Sequence, residues 1–360
     1  MMPLRLLADD LTGALDSAVA FCGARGPVPV FLQRPASAAD AALDLGCRDG
    51  SEAQAIAATA AAAPFLTGAG LAFLKIDSLL RGHWAAMLAA VWRTGAFRAC
   101  LLAPAFPAQG RLTVQGRQYL RDPDGALQPL PVDPAAALAA HGIRLSRQAD
   151  GVRLCDAASD ADLATLVARA HATPGPLLWC GAGGLAAALA GVPVPRAAPL
   201  QAPLLAIVGT CHPVTERQLQ HVRQATGEAP LLLRGAPAEA TAIAARLDRT
   251  GFCLVRADIP PGTAPPQAAA RIRACLGHIL PALPPPATLL VTGGETLRGV
   301  CELLGASRVE VAAEVARGIP VSRLCGGAWD GVRLVSKSGA FGAADLLTAL
   351  LTQPRRHGRV

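Results

Sequence analysis

Asp9 and Asp10 close a short apolar run, Leu4 to Ala8, and Thr12, Gly13 and Asp16 follow at once. A carboxylate in such a place can take a proton from a hydroxyl or cap a helix. A cap needs one carboxylate, and here three are crowded together, so chemistry is the stronger reading. Crowded carboxylates repel, and a metal, a lysine or an arginine has to compensate. A second cluster supplies cations. The apolar run 71–76 leads into Lys75, Asp77, Ser78, Arg81, Gly82 and His83. Lys75 and Arg81 suit a ligand carboxylate, the arginine by its two-pronged fork. Asp77 could orient them or act as a general base. A third stretch, Ala103 to Arg117, places Gln109, Gly110, Arg111, Thr113, Gln115 and Gly116 behind another apolar run. It reads as a long Gly/Pro-rich loop forming a ligand wall, with Arg111 facing the ligand.

The second half of the chain has a different chemistry. Three apolar runs end in glycine-bearing turns: Gly209-Thr210-Cys211-His212, Gly293-Gly294-Glu295-Thr296, and Lys337-Ser338-Gly339-Ala340-Phe341-Gly342. Each precedes a helical pattern. Backbone N–H groups at such turns and helix starts bind phosphate. Lys337 would add a point charge, and His212 would either touch a phosphate or simply start a helix. None of the turns is a Walker A loop, and no GxSxG elbow is present, so a hydrolase has little support.

Elements must position these groups. Strand-like runs occur at 4–8, 28–32, 71–76, 99–103, 177–180, 204–208, 230–233, 252–256, 288–292 and 332–336. Helical patterns lie near 13–25, 51–63, 83–94, 134–141, 159–171, 183–190, 213–225, 236–249, 264–279, 295–304 and 343–351. The alternation predicts an α/β protein of mainly parallel sheets flanked by helices. In such sheets ligands sit at the carboxyl ends of strands, where all these clusters fall. Pro193, Pro195, Pro199 and Pro203 break the pattern and read as a linker over 190–203. The expectation is an N-terminal domain over 1–195 and a C-terminal domain over 203–352. In the first helix Asp10 or Thr12 would be the cap and Gly26 the stop.

Length and composition fit that picture. The chain has 360 residues, 52% of them hydrophobic and 16% charged, enough to bury large cores and too apolar for disorder. The net charge of +7 is scattered. It suits an anionic small substrate, and without aromatic-interleaved basic patches it does not point to nucleic acid. Arg355, Arg356, His357 and Arg359 read as a frayed tail. The ten cysteines show no metal spacing and read as reduced core thiols of a cytoplasmic protein. The dispersed histidines offer no metal site either. No signal peptide is expected. The uncharged stretch from Ala53 to Leu74 reads as a helix, a turn after Pro64 and a buried strand rather than a membrane span. Oligomeric state is not fixed, and a homodimer is compatible with so apolar a chain.

Together the motifs resemble the four-carbon acid sugar kinase family, ATP-dependent kinases of 3-oxo-tetronate, threonate and erythronate. The matching pieces are ADDLTGALDSA at 8–18, KIDSLLRG at 75–82, APAFPAQGRLTVQGRQY at 103–119 and CDAASDADL at 155–163. They continue with LLWCGAGGLAAAL at 177–189, TGGETLRGV at 292–300 and SKSGAFGAADLL at 336–347. The resemblance implies two α/β domains, the first holding the sugar acid and the second ATP with its Mg²⁺, with the active site in the cleft between them. It implies that Asp9, Asp10, Asp16, Lys75, Asp77, Ser78, Arg81, Gly82 and Arg111 serve the acid. An Asp of the first cluster or Asp77 would take the proton of the terminal hydroxyl, with Lys75 beside it. Gly209, Thr210, Cys211, His212, Gly293, Gly294, Glu295, Thr296, Lys337, Ser338, Gly339 and Gly342 would serve ATP, and domain closure would exclude water. The chain departs from the family pattern in three places. Leu79 replaces a threonine of the KxDSTLRG motif, Asp44-Leu-Gly-Cys-Arg48 replaces Asp-Thr-(Asp/Glu)-Ser-Arg, and His212 replaces a serine. These departures motivate an alternative, a non-catalytic binding protein on a kinase scaffold. A dehydrogenase is disfavoured because GAGGLAAALAG at 181–191 lacks the partner acid that such sites use.

Overall fold

The computed structural model describes residues 2–352 apart from 36–38, 123, 171, 172, 174 and 261. The expected frayed tail at 355–359 lies outside the described residues. The chain divides into two compact units, Met1–Val194 and Pro195–Val360.

The first unit is built on a parallel sheet. Its strands are β1 (Leu4–Ala8), β2 (Val28–Phe31), β3 (Ala41–Asp44), β4 (Leu71–Lys75), β5 (Ala99–Ala103), β9 (Gly151–Leu154) and β10 (Leu177–Gly181), lying in the order β2-β3-β1-β4-β10-β5-β9. Central strands such as β5 are buried along their whole length, as strands covered on both faces must be, and so they read as unbroken apolar runs. The chain leaves β1 toward β2 on one side and leaves β4 toward β5 on the other. The carboxyl ends of β1 and β4 therefore flank a point where the connections diverge, the standard ligand position in open α/β sheets. Between β5 and β9 the chain forms a separate antiparallel sheet of β6 (Arg111–Val114), β7 (Arg117–Arg121) and β8 (Leu127–Pro129).

Helices α1 (Leu11–Ala18), α2 (Cys22–Arg25), α3 (Glu52–Ala62), α4 (Trp84–Trp92), α5 (Pro134–Ala140), α6 (Asp160–Arg169) and α7 (Gly183–Ala190) complete the first unit. The core includes Leu7, Leu43, Leu74, Met87, Leu102 and Leu178. The helix expected over 13–25 begins earlier, at Leu11, and is broken by a 3₁₀ turn at Val19–Phe21. Asp10 is its cap, accepting from Gly13 N–H, and Gly26 stops it at φ 76°.

The second unit repeats the plan in the order β12-β13-β11-β14-β17-β16-β15. These are β11 (Leu204–Val208), β12 (Leu231–Leu233), β13 (Phe252–Ala257), β14 (Thr288–Thr292), β15 (Arg308–Ala316), β16 (Ile319–Cys325) and β17 (Arg333–Lys337). The helices are α8 (Pro213–Thr226), α9 (Ala238–Thr250), α10 (Pro265–Ile279), α11 (Gly294–Leu303) and α12 (Leu346–Thr352). Here the connections diverge at β11 and β14.

Three sequence expectations change. The stretch after Ala103 is not a plain loop: Val114 pairs with Arg117 across Gln115 and Gly116, both at positive φ, a two-residue hairpin turn. The antiparallel pair β15–β16 was missed, although Val309 and Val311 alternate with polar residues and Arg317-Gly318 marks the turn. The end of the proline-rich segment is not a free linker, because Ala197 donates to the Glu314 carbonyl and Glu314 N–H donates to Pro195.

Candidate active site

In the first unit the sheet register sets the site. Ala8 pairs with Asp44 of β3 and with Lys75 of β4, and Lys75 pairs with Gly181 of β10. The strands end level, so Asp9-Asp10, the Leu45–Arg48 turn and the Ile76–Gly82 turn emerge side by side.

Arg48 gathers the carboxylates. Its Nε and Nη2 donate to the two oxygens of Asp9, each at 2.7 Å. Nη2 also lies 2.7 Å from Asp10 Oδ1, and Nη1 lies 3.9 Å from Asp77. The turn is pinned from below, since Cys47 and Arg48 N–H both donate to the Asp9 carbonyl. Burial opposes the Arg48 charge, but Asp10, Asp9 and Asp77 raise its pKa well above the ordinary arginine value. Asp9 is fully buried. Burial pushes its carboxyl up while the Arg48 charge and hydrogen bonds oppose that. The compensating cation anticipated from the acidic cluster is thus Arg48, which in the sequence stands only as the end of a stretch that departs from the family pattern.

Asp77 is saturated. Its Oδ2 accepts from Leu79 N–H, Arg81 N–H and Arg81 Nε, and its Oδ1 accepts from Arg81 Nη2. Burial alone would raise its pKa, but the Arg81 hydrogen bonds, with the charges of Arg48, Arg81 and Lys75, hold it well below the carboxylate range. The fork of Arg81 therefore faces Asp77 rather than standing open. Leu79 contributes its backbone N–H to this hold, so losing the family threonine leaves that bond in place. Leu80 sits at φ 57°, a conformation that costs a bulky residue energy; its side chain is buried and its N–H donates to the Asp77 carbonyl. Gly82, also at positive φ, lets the Arg48 stem pass at 3.0 Å from where a Cβ would lie.

Asp10 is less committed. Oδ1 accepts from Gly13 N–H and Oδ2 from Thr12 Oγ1, and its side chain remains 13% exposed. Lys75 Nζ is buried and donates to the Ile76 carbonyl. A Cβ on Gly13 would lie 2.5 Å from Asp10 Oδ1 and 2.7 Å from Lys75 Nζ, so the glycine leaves room for both groups over the start of α1.

The other expected residues surround this centre. Asp16 Oδ2 lies 2.6 Å from where a Gly183 Cβ would be, at the start of α7. Arg111 is buried and donates to the Gln109 carbonyl; burial lowers its pKa. Ser78 is held through its carbonyl by Gln118 Nε2 at 2.8 Å. Gln118 also accepts from Thr113 Oγ1, so it ties the hairpin to the Asp77 turn. Gln118 lies within the matching stretch 103–119, but nothing in the chain marks it as buried.

In the second unit Arg256, Val208, Thr292 and Lys337 lie in one register row across β13, β11, β14 and β17. The three turns converge just beyond it. Gly209 donates to Thr292 O, and Gly293 donates to Lys337 O. A Cβ on Gly209 would overlap Thr296 Oγ1, and one on Gly339 would lie 2.7 Å from Thr210 Oγ1. α8 and α11 start here. His212 caps α8, its Nδ1 accepting from Val214 N–H, which gives the helix-start role. Arg256 was missed: it forks onto Glu216 and lies 3.1 Å from the Cys211 thiol on the first turn. Cys211 is exposed, whereas burial pushes thiols such as Cys22 and Cys47 up to about 12.

Lys337 corrects the expectation of a free point charge. It is 0% exposed, and its Nζ donates inward to Thr215 Oγ1, Ser338 O and Phe341 O. Thr215 in turn donates to Gly339 O, and Gln218 to the carbonyls of Phe341, Gly342 and Ala343.

Among the described residues no cluster of His, Cys, Asp and Glu could hold a metal by itself, and no helix is long and apolar enough to cross a membrane. The second unit does fit a phosphate-bearing nucleotide: bare glycine turns and two helix starts converge where side chains would not fit.

Comparisons with known proteins agree with both halves. Residues 4–146 match the family model described as a sugar-binding N-terminal domain, and 205–347 match a nucleotide-binding C-terminal domain. A D-threonate kinase of Cupriavidus necator is 32% identical, with 94% of each chain covered. A 3-oxo-tetronate kinase of Pseudomonas savastanoi pv. phaseolicola is 26% identical, covering 97% of each. The crystal structure of a Salmonella typhimurium LT2 protein shares the fold, with a TM-score of 0.70 at 20% identity over 98% of this chain and 99% of that one. With two level strand edges, one lined by paired carboxylates and cations and the other by glycine turns, the chain belongs to the four-carbon acid sugar kinase family, phosphotransferases with a sugar-acid acceptor.

Proposed function

We propose that the protein transfers the γ-phosphoryl group of ATP to the terminal hydroxyl of a four-carbon sugar acid of the threonate, erythronate or 3-oxo-tetronate type. The names of its relatives put D-threonate first among the candidates. Asp10 serves as the general base. The observation that carries this choice is the contrast in occupancy. Asp9 is buried under the Arg48 fork, and Asp77 is saturated and strongly acidic, whereas Asp10 keeps an exposed edge beside the Lys75 ammonium.

In this scheme Lys75 and Arg81 attract the carboxylate of the acid, Arg81 by releasing part of its hold on Asp77. Asp9, Asp16, Ser78, Gly82 and Arg111 shape the rest of the acid site. The amides of the three glycine turns, with Thr210, Cys211, His212, Glu295 and Thr296 around them, hold the ATP phosphates. Asp10 takes the hydroxyl proton as the oxygen bonds to the γ-phosphorus and the bond to ADP breaks. Mg²⁺ would arrive with the nucleotide and spread charge on its phosphates. Holding acid and nucleotide in register supplies much of the rate, because little covalent work falls to the protein.

The test is ATP consumption on a panel of D- and L-threonate, D- and L-erythronate and the 3-oxo-tetronates, with ³¹P NMR of any product. Turnover on one acid, lost in Asp10→Ala with ATP binding retained, is the expected result. Unchanged turnover in that variant would overturn the assignment of the base.

A further inference from the structure

The ammonium of Lys337 stands at the end of β17, at the level of the glycine turns, yet it points away from solvent. Three oxygens lie within hydrogen-bond reach of its Nζ: Thr215 Oγ1 at 3.1 Å, Ser338 O at 3.0 Å and Phe341 O at 3.1 Å. Because Thr215 Oγ1 donates its own hydrogen to Gly339 O at 2.8 Å, it can only accept from the lysine. Ser338 O also accepts from Phe341 N–H, and Phe341 O also accepts from Gln218 Nε2, so the lysine shares both carbonyls with other donors of the turn and of α8.

The geometry fixes what the lysine does. Its acceptors lie on α8 and at both ends of the 338–341 turn, so one group stitches the turn to the helix behind it. In a planar trans peptide the N–H points opposite to the C=O, so carbonyls drawn to Nζ, Thr215 and Gln218 turn the N–H groups of the same peptides away from the lysine. Among the described residues no carboxylate pairs with Lys337, and burial lowers its pKa to about 7. The groups packed around it on α8 and in the turn are hydroxyls, amides and carbonyls. Near Thr215 on α8, His212 is engaged as the helix cap and Glu216 is paired with Arg256. A buried cation without a partner is costly, and an anion held on the outer face of the same turn would relieve that cost through one layer of peptide.

We propose that Lys337 is a positioning residue for nucleotide binding: it shapes the Ser338–Gly342 turn from beneath and is held in its ammonium form by the phosphates that the turn receives, without touching them. This rests on the reading of the second unit as the ATP site. It differs from a lysine that reaches a phosphate directly, because such a lysine would need an exposed ammonium.

The test uses the full-length protein and Mg²⁺-saturated ATP in calorimetry at pH 7.5, in buffers of different ionisation enthalpy. The unsubstituted protein is expected to take up a fraction of a proton on binding. Lys337→Met is expected to lose that increment, to weaken ATP at least ~10-fold in KM, and to leave the sugar-acid KM within about twofold. Subtracting the variant removes any uptake at His212. In Lys337→Ala, small primary alkylammonium ions are expected to restore part of the ATP affinity. If neither variant folds, the unsubstituted protein still decides, since absence of proton uptake overturns the proposal. No ATP binding at all overturns both this inference and the reading of the site. ATP binding that is unchanged in Lys337→Met overturns the lysine's role alone.

Discussion

Arg48 and Asp9 face each other as two parallel hydrogen bonds of 2.7 Å, one from Nε and one from Nη2, with the carboxylate fully buried. The same guanidinium reaches Asp10, so the ion pair that holds the end of β1 also orients the proposed base. Breaking it from one side should cost far more than removing both partners. Arg48→Met leaves a buried unpaired charge and should destabilise by about 3–5 kcal/mol. Asp9→Asn combined with Arg48→Met should recover a large part of that loss. Urea unfolding of the two single variants and the double variant measures the coupling; strictly additive losses would refute it.

Gly13→Ala should separate stability from activity. Alanine improves an exposed helix interior by about 1 kcal/mol over glycine, but here the new methyl would crowd Asp10 Oδ1 and Lys75 Nζ. Turnover should fall at least ~10-fold, since small misplacements of reacting groups are that costly, while thermal stability changes little. Paired activity and melting measurements check this.

Gly209→Ala should strike the other half. A Cβ there overlaps Thr296 Oγ1, so the first and second turns must part. ATP affinity should drop at least ~10-fold, with sugar-acid binding measured by calorimetry unchanged. Equal loss at both ligands would mean a global folding defect instead.

The Asp77 pair predicts an acid limb. The folded-state pKa of Asp77 is depressed below the ordinary value of 3.8. Its contribution to stability is therefore fully present above that value and is lost as the pH falls below it toward the folded pKa. Asp77→Asn should be less stable at neutral pH, and its stability should fall less between pH 5 and the acid range. Denaturation curves across that range give the slope.

Alkylation should find Cys211 first. It is the exposed thiol among the described cysteines and lies beside the Arg256 guanidinium. One equivalent of iodoacetamide should label it, and ATP should slow the labelling. Mass spectrometry of the digest identifies the site.

Much of this arrangement could be read from the chain. Apolar runs that stop at Asp9, Lys75 and Gly209 mark strand ends, because a buried parallel strand has no polar alternation to blur its boundary. What stayed hidden had no such edge. β3 is four residues of modest hydrophobicity, so Asp44 and Arg48 lacked a visible strand to place them. Gln118 and Gln218 look like ordinary polar positions of a hairpin and a helix, and their burial follows from tertiary packing alone. Lys337 stands out in the sequence at a strand end, but its direction does not. The same residue type at a strand end can turn outward to a ligand or inward to carbonyls, and the hydroxyl that decides it, Thr215, lies 122 residues away in the chain.

The division of the chain near Pro195 has a consequence for how such enzymes diversify. Asp9 through Arg111 belong entirely to one unit, and the glycine turns to the other. Substitutions that retune which acid is accepted need not disturb nucleotide affinity, and the reverse holds as well. On the proposed assignment, selection on acceptor choice acts on residues before Pro195 and selection on the nucleotide acts on residues after it.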